Sequence, residues 1–154
     1  MRAYIEMEAG SRVKHVFNEK KKELLMHRLL KEPLIEPFCY GFIKGTKSGD
    51  GDALDVFVMS SRHISAGDEV DAEPIGVLYS EDEMGEDNKI IAVEKYDKSY
   101  GGMLDISQVD KRLLYALLYQ IEHNKDGLEG RFTKIKGIGN AKEAKDAIEK
   151  ASAQ

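Results

Sequence analysis

Three carboxylates stand within six residues at Asp50, Asp52 and Asp55, in the stretch Ser48-Gly49-Asp50-Gly51-Asp52-Ala53-Leu54-Asp55. A second acidic stretch, Glu81-Asp82-Glu83-Met84-Gly85-Glu86-Asp87-Asn88-Lys89, also runs into an apolar segment, Ile90-Ile91-Ala92-Val93. Alone, Asp50-Gly51-Asp52 reads as a surface turn, because Asp and Gly both favour turn backbone angles. Asp55 changes the balance, since it begins the strand-like Val56-Phe57-Val58-Met59 and is therefore fixed on a rigid element. Carboxylates held this close repel one another without a cation, and all-oxygen ligands suit Mg²⁺ or Mn²⁺. Asp82 and Asp87 from the second loop can join Asp50 and Asp55 in one cluster. An EF-hand is excluded by count: from Asp50 it puts Leu54 at a ligand position, Asp55 where glycine is needed and Ser61 at the closing glutamate. Metal-assisted phosphoryl transfer is the chemistry such a cluster serves when cations stand nearby. Arg28, which interrupts an apolar stretch, needs an anionic partner there.

The elements that would position these groups follow from periodicity. Residues 3–8 alternate with Ala3, Ile5 and Met7 on one face, and further strands are expected at 12–17, 24–30, 38–43, 54–59, 69–79, 89–94 and 131–136. Pro74 and Gly76 predict a bulge in the long one. The period then changes: Ser107 with Asp110 suggests a capping box, and Leu113, Leu114, Leu117, Leu118 and Ile121 line a helix ending near Lys125. Asn140 with Glu143 caps a terminal helix that turns Ala144, Ile148 and Ala151 inward. Strands followed by two helices give an α+β domain whose antiparallel sheet closes into a barrel. At 154 residues the chain is one domain, 1–154, able to bury roughly two-thirds of its unfolded surface.

Composition excludes several classes. The chain is 42% hydrophobic and 33% charged, and its densest apolar run, Leu113 to Leu118, is too short to span a bilayer. Met1-Arg2-Ala3 opens no apolar leader, so a cytoplasmic location is expected. A single cysteine, Cys39, excludes an internal disulfide and reads as a packed residue. A net charge of −5, without a face of interleaved aromatics and cations, argues against a nucleic-acid partner.

Ile5-Glu6, Gly10-Ser11-Arg12-Val13-Lys14, Arg28, Pro37 with Tyr40-Gly41-Phe42-Ile43, the two acidic motifs, Pro74-Ile75-Gly76-Val77 and Lys136-Gly137 with Ala141 fall in an order that resembles the family I soluble inorganic pyrophosphatases. The resemblance spans nearly the whole chain. It implies a five-stranded OB-like barrel with flanking strands and helices, and Mg²⁺-dependent hydrolysis of pyrophosphate to two phosphates by a metal-activated water. It also implies a homo-oligomer, commonly a hexamer, with His123 and Asp126 near the family's interface positions. Carried over by position, Asp50, Asp55, Asp82 and Asp87 ligate metal with Glu6 in the same shell, and Asp52 is the general base. Lys14, Arg28, Tyr40, Lys89 and Lys125 hold the phosphates, with Asn124 standing at a phosphate-contacting tyrosine position. Val16 stands at a usual glutamate, Glu36 at a usual tyrosine and Ala53 at a usual proline. Val16, Glu36 and Asn124 motivate the alternative of a noncatalytic phosphate-binding or interaction protein on the same fold.

Overall fold

The computed structural model describes residues 1–31 and 33–153. In chain order its elements are β1 (Arg2–Met7), β2 (Val13–Asn18), β3 (Glu23–Leu29), β4 (Cys39–Ile43), β5 (Asp55–Met59), β6 (Glu69–Asp82), β7 (Gly85–Glu86) and β8 (Lys89–Glu94). A 3-10 turn (Ile106–Gln108), α1 (Lys111–His123), β9 (Thr133–Gly139) and α2 (Ala141–Ser152) follow.

Five strands close a ring: β1 pairs with β4, β4 with β5, β5 with β8, β8 with β6, and β6 again with β1. All these pairings are antiparallel except β5–β8, which is parallel. The expected barrel is therefore present as a mixed ring, because the chain crosses along β6 before returning beside β5. Closure needs Gly41: a Cβ there would lie 1.8 Å from the Tyr4 carbonyl oxygen, so only glycine lets β4 approach β1. The bulge in β6 falls between Pro74 and Gly76, as the sequence predicts. β9 extends the sheet on β6, and β2–β3 form a separate two-stranded sheet.

Alternation in β1 buries Ala3, Ile5 and Met7, the first two inside the ring with Val56, Val58, Ile90 and Ala92. The other faces of β5 and β8, carrying Phe57, Met59, Ile91 and Val93, meet Leu117 and Ile121 of α1. Both strands are thus apolar on two sides, which is why they read as continuous hydrophobic runs rather than alternating ones. α2 closes the ring's end with Ala144 and Ala151 buried and Ile148 packed beside them.

Two expectations shift. The capping box belongs to the 3-10 turn, with Asp105 and Gln108 as its pair, while α1 is capped by Asp110, which accepts from the Arg112 and Leu113 amides. Val109 is extended between them and ends the first turn before the helix can start. β9 runs to Gly139 rather than stopping at residue 136, since Val77 and Leu78 of β6 pair with Gly139 and Ile138. Among the described residues no helix is long and apolar enough to cross a membrane.

Candidate active site

A cleft of about 1050 Å³ opens where the two acidic loops meet the β2–β3 sheet and the end of α1. Asp50, Asp52, Asp55, Asp82, Asp87, Lys14, Arg28, Tyr40, Lys89, Asn124 and Lys125 all line it. The parallel register explains the centre: Asp55 and Lys89, the first residues of β5 and β8, are direct partners. Lys89 Nζ donates to Asp55 Oδ2 at 2.7 Å and to Asp87 Oδ2 at 2.9 Å. Burial disfavours its charge, yet the two carboxylates hold the ammonium above the ordinary lysine value. Burial and the nearby Asp55 push Asp87 up even with Lys89 beside it.

Lys125 plays the same part for the second loop. Its Nζ donates to Asp82 Oδ2 at 3.1 Å and to Glu83 Oε2 at 3.2 Å. Glu83 also accepts from Arg131 Nε at 3.0 Å and from the Phe132 amide, and these donors, working against burial, bring its carboxyl down to about 2. Asp50 is turned into its own loop, where Ser48 Oγ and the Asp52 amide donate to Oδ1. Gly51, at φ +94°, makes that loop possible, and Asp52 stands exposed at the cleft wall.

The anion-binding side is built from cations facing cations. Lys14 and Arg28 are register partners across β2 and β3, next to a bulge. Like charges directly opposite destabilise a strand pair, so the arrangement makes sense when an anion lies between them. Lys14 Nζ makes no ion pair among the described residues and sits 5.8 Å from the Tyr40 ring centroid. Burial and Arg28 lower its pKa, and Arg28's is lowered by burial and Arg131. Asn124 holds Arg28 with its carbonyl and its Oδ1, each at 3.2 Å. Asn124 lines the cleft and at the same time fixes the arginine. Burial, Asp55 and Glu6 raise the Tyr40 phenol and keep it a hydrogen-bond donor.

Glu6 is set back from these groups: Oε1 accepts from the Phe17 amide at 2.8 Å, and burial raises its pKa. Val16 is 42% exposed and does not line the cleft, whereas Glu36 is buried in its floor. Sequence reasoning missed Arg131 and Gln120 as cleft residues, and Glu83 as the acid that holds Lys125 and Arg131 beside it. The only signal for Arg131 is its place after Gly130, which turns at φ +70°.

Every candidate metal ligand is a hard carboxylate oxygen, which fits a hard divalent cation. Among the described residues no three acidic, His or Cys side chains already close on one point, because lysine ammoniums stand between them.

Residues 3–154 match the family described as Inorganic pyrophosphatase. The chain belongs to the inorganic pyrophosphatase family. It is 37% identical over 149 residues to an inorganic pyrophosphatase of Sulfolobus acidocaldarius, covering 96% of this chain and 86% of that one. Against the Nanoarchaeum equitans inorganic pyrophosphatase the identity is 38% over 151 residues, with coverage of 97% and 93%. The solved inorganic pyrophosphatase of Helicobacter pylori superposes with a TM-score of 0.95 at 32% identity, over 99% of this chain and 91% of that chain. Members of this family generally depend on divalent metal.

Proposed function

We propose that this protein hydrolyses inorganic pyrophosphate to two phosphates in the cleft between its acidic loops and the β2–β3 sheet. Family membership supports the hydrolase over the noncatalytic alternative, and the observation that carries the site is the face-to-face pair Lys14 and Arg28 opposite Asp50, Asp52 and Asp55. Mg²⁺, or another divalent ion held by Asp50, Asp55, Asp82 and Asp87 with Glu6 behind them, would offset charge on the anhydride and acidify the attacking water. Lys14, Arg28, Tyr40, Lys89 and Lys125 bind phosphate oxygens, with Asn124 fixing the arginine. Asp52, exposed in the cleft wall and free to reach a water, takes its proton as the water oxygen bonds to phosphorus and the bridging P–O bond breaks.

The test is phosphate release from pyrophosphate with Mg²⁺, with Asp52→Asn as control. A fall of about 10²–10⁴ in kcat with retained fold is expected, and equal rates for both proteins would remove Asp52 from its role.

Residues 1–154 form one domain in this reading, supported by a family match that runs from residue 3 to 154. A homo-oligomer, with a hexamer preferred, is supported by an exposed aromatic row on α1, where Tyr115, Tyr119 and His123 meet in succession as tilted rings and His123 meets Asp126 at 2.7 Å. Sedimentation at micromolar protein that shows only monomer counts against it. A cytoplasmic location is supported by the lone, buried, free Cys39.

A further inference from the structure

Under the cleft lies a buried polar pair that the reaction above does not use. Glu36 is 2% exposed and Gln120 4%, and Gln120 Nε2 donates to Glu36 Oε2 at 3.0 Å. The other oxygen of each group, Glu36 Oε1 and Gln120 Oε1, is buried without a hydrogen-bond partner. Two orphaned acceptors at one site share one remedy, a proton on Glu36. A neutral carboxyl and a primary amide match edge to edge: the amide N–H donates to one carboxyl oxygen, and the acid O–H donates to the amide oxygen. A carboxylate here would instead be a buried charge left with an empty acceptor beside a second one.

The pair joins three parts of the fold. The Glu36 backbone is pinned to the turn before β2, with its amide donating to Ser11 O and its carbonyl accepting from the Gly10 amide. Its side chain reaches α1 one turn before Asn124 and Lys125, and four residues further along its own chain stands Tyr40. The charged or titratable groups that face Glu36 are Lys14 from β2, Lys89 from β8 and Cys39 from β4. Lys89 is committed to Asp55 and Asp87, which leaves Lys14 as the cation an ionised Glu36 would draw.

We propose that Glu36 carries a proton in the resting protein and closes a two-hydrogen-bond ring with Gln120, a neutral floor that positions α1 and leaves Lys14 uncommitted for phosphate. Glu36 is thus a positioning residue, acting through Lys14 and the end of α1. Burial raises its carboxyl pKa well above the ordinary value, in the direction the ring requires. The functional part rests on reading the cleft as the pyrophosphate site; the protonation does not.

The deciding measurement is the infrared difference between wild type and Glu36→Gln at pH 7 in chelator, without substrate. A protonated-carboxyl C=O band that is lost in the variant is expected, and its absence overturns the proposal whatever the activity. If that variant does not fold, ¹³C-glutamate-labelled wild type carries the test: one carboxyl carbon must keep the chemical shift of a protonated acid at pH 7, and ionised shifts for all of them overturn it. An amide at position 36 accepts from Gln120 Nε2 and donates to its Oε1, so Glu36→Gln keeps KM and kcat within about twofold; a tenfold loss in either would mean that the charge is used. Gln120→Leu removes the ring and raises KM for pyrophosphate about tenfold with kcat little changed; an unchanged KM sinks the positioning role alone. The sign of the stability effect follows from linkage. A carboxyl with a raised folded pKa stabilises fully below its unfolded value, about 4.3, and that contribution is lost as pH rises through the folded value. The Tm of Glu36→Gln relative to wild type therefore climbs as pH rises above about 4.3, and a constant or falling difference contradicts the protonated state.

Discussion

The parallel strands β5 and β8 meet the solvent at two ends, and the two ends are built on opposite rules. At their start, Asp55 and Asp87 are held by one lysine, and neighbouring carboxylates keep acceptor positions to spare. At their finish, Asp97 is saturated: the amides of Ser61, Ser99 and Tyr100 and the hydroxyl of Ser61 all donate to it. Glu94 nearby pairs with Arg62 and accepts from Ser60 Oγ. An acid satisfied by fixed neutral donors has nothing left to offer a ligand and serves the fold. An acid satisfied by a side-chain ammonium rather than by fixed amides can exchange that partner for a metal ion, and this is what a site for ions and phosphate requires.

Substitutions at the two ends should separate activity from stability. Lys89→Met strips both Asp55 and Asp87 of their cation in a buried setting. It should lower kcat/KM for pyrophosphate at least ~10²-fold and destabilise by about 3–5 kcal/mol, read by phosphate release and by urea unfolding. Near-wild-type values in both would erase the distinction from that side. Asp97→Ala should do the converse, with about 2–3 kcal/mol of stability lost and turnover within about twofold of wild type. A comparable loss of turnover would show that the two ends are coupled. Asn124→Ala sharpens the picture of the cleft: Arg28 loses the Oδ1 contact and keeps the carbonyl one. KM should rise about three- to tenfold, with the melting temperature nearly unchanged.

Acid supplies the mildest perturbation. Despite burial, its donors hold the Asp97 carboxyl well below the usual range. Its contribution is therefore fully present above the unfolded aspartate value of about 3.9 and is lost as pH falls below it. Between pH 5 and 3 the wild type should lose stability faster than Asp97→Ala, as seen in paired denaturation curves. Parallel curves would mean that Asp97 is ordinary.

Much of this arrangement is written locally. The alternation of Ala3, Ile5 and Met7, the Pro74–Gly76 bulge and the Asn140–Glu143 box each need only a few neighbouring residues, so each is legible in the sequence alone. The acidic loops are legible for the same reason. Pairings between distant segments are not. The parallel register that sets Asp55 beside Lys89 joins residues 34 apart, and an apolar run such as Ile90 to Val93 states that it is buried without stating its direction. Gln120 lies on the buried side of α1 with Leu117 and Ile121, and only the fold brings it to Glu36 across 84 residues. Asn124 is readable as a cleft residue, but its hold on Arg28 depends on where α1 ends relative to β3.

The crossing of β6 between β5 and β8 also dictates an order of manufacture. Asp55 leaves the ribosome 34 residues ahead of Lys89, and Asp82 leaves 43 ahead of Lys125. A growing chain therefore displays its acids to the surrounding ions before it owns the lysines that will hold them. The ring cannot shut until β8 emerges, which at about 5–20 residues per second leaves β5 with one naked edge for some seconds of every synthesis.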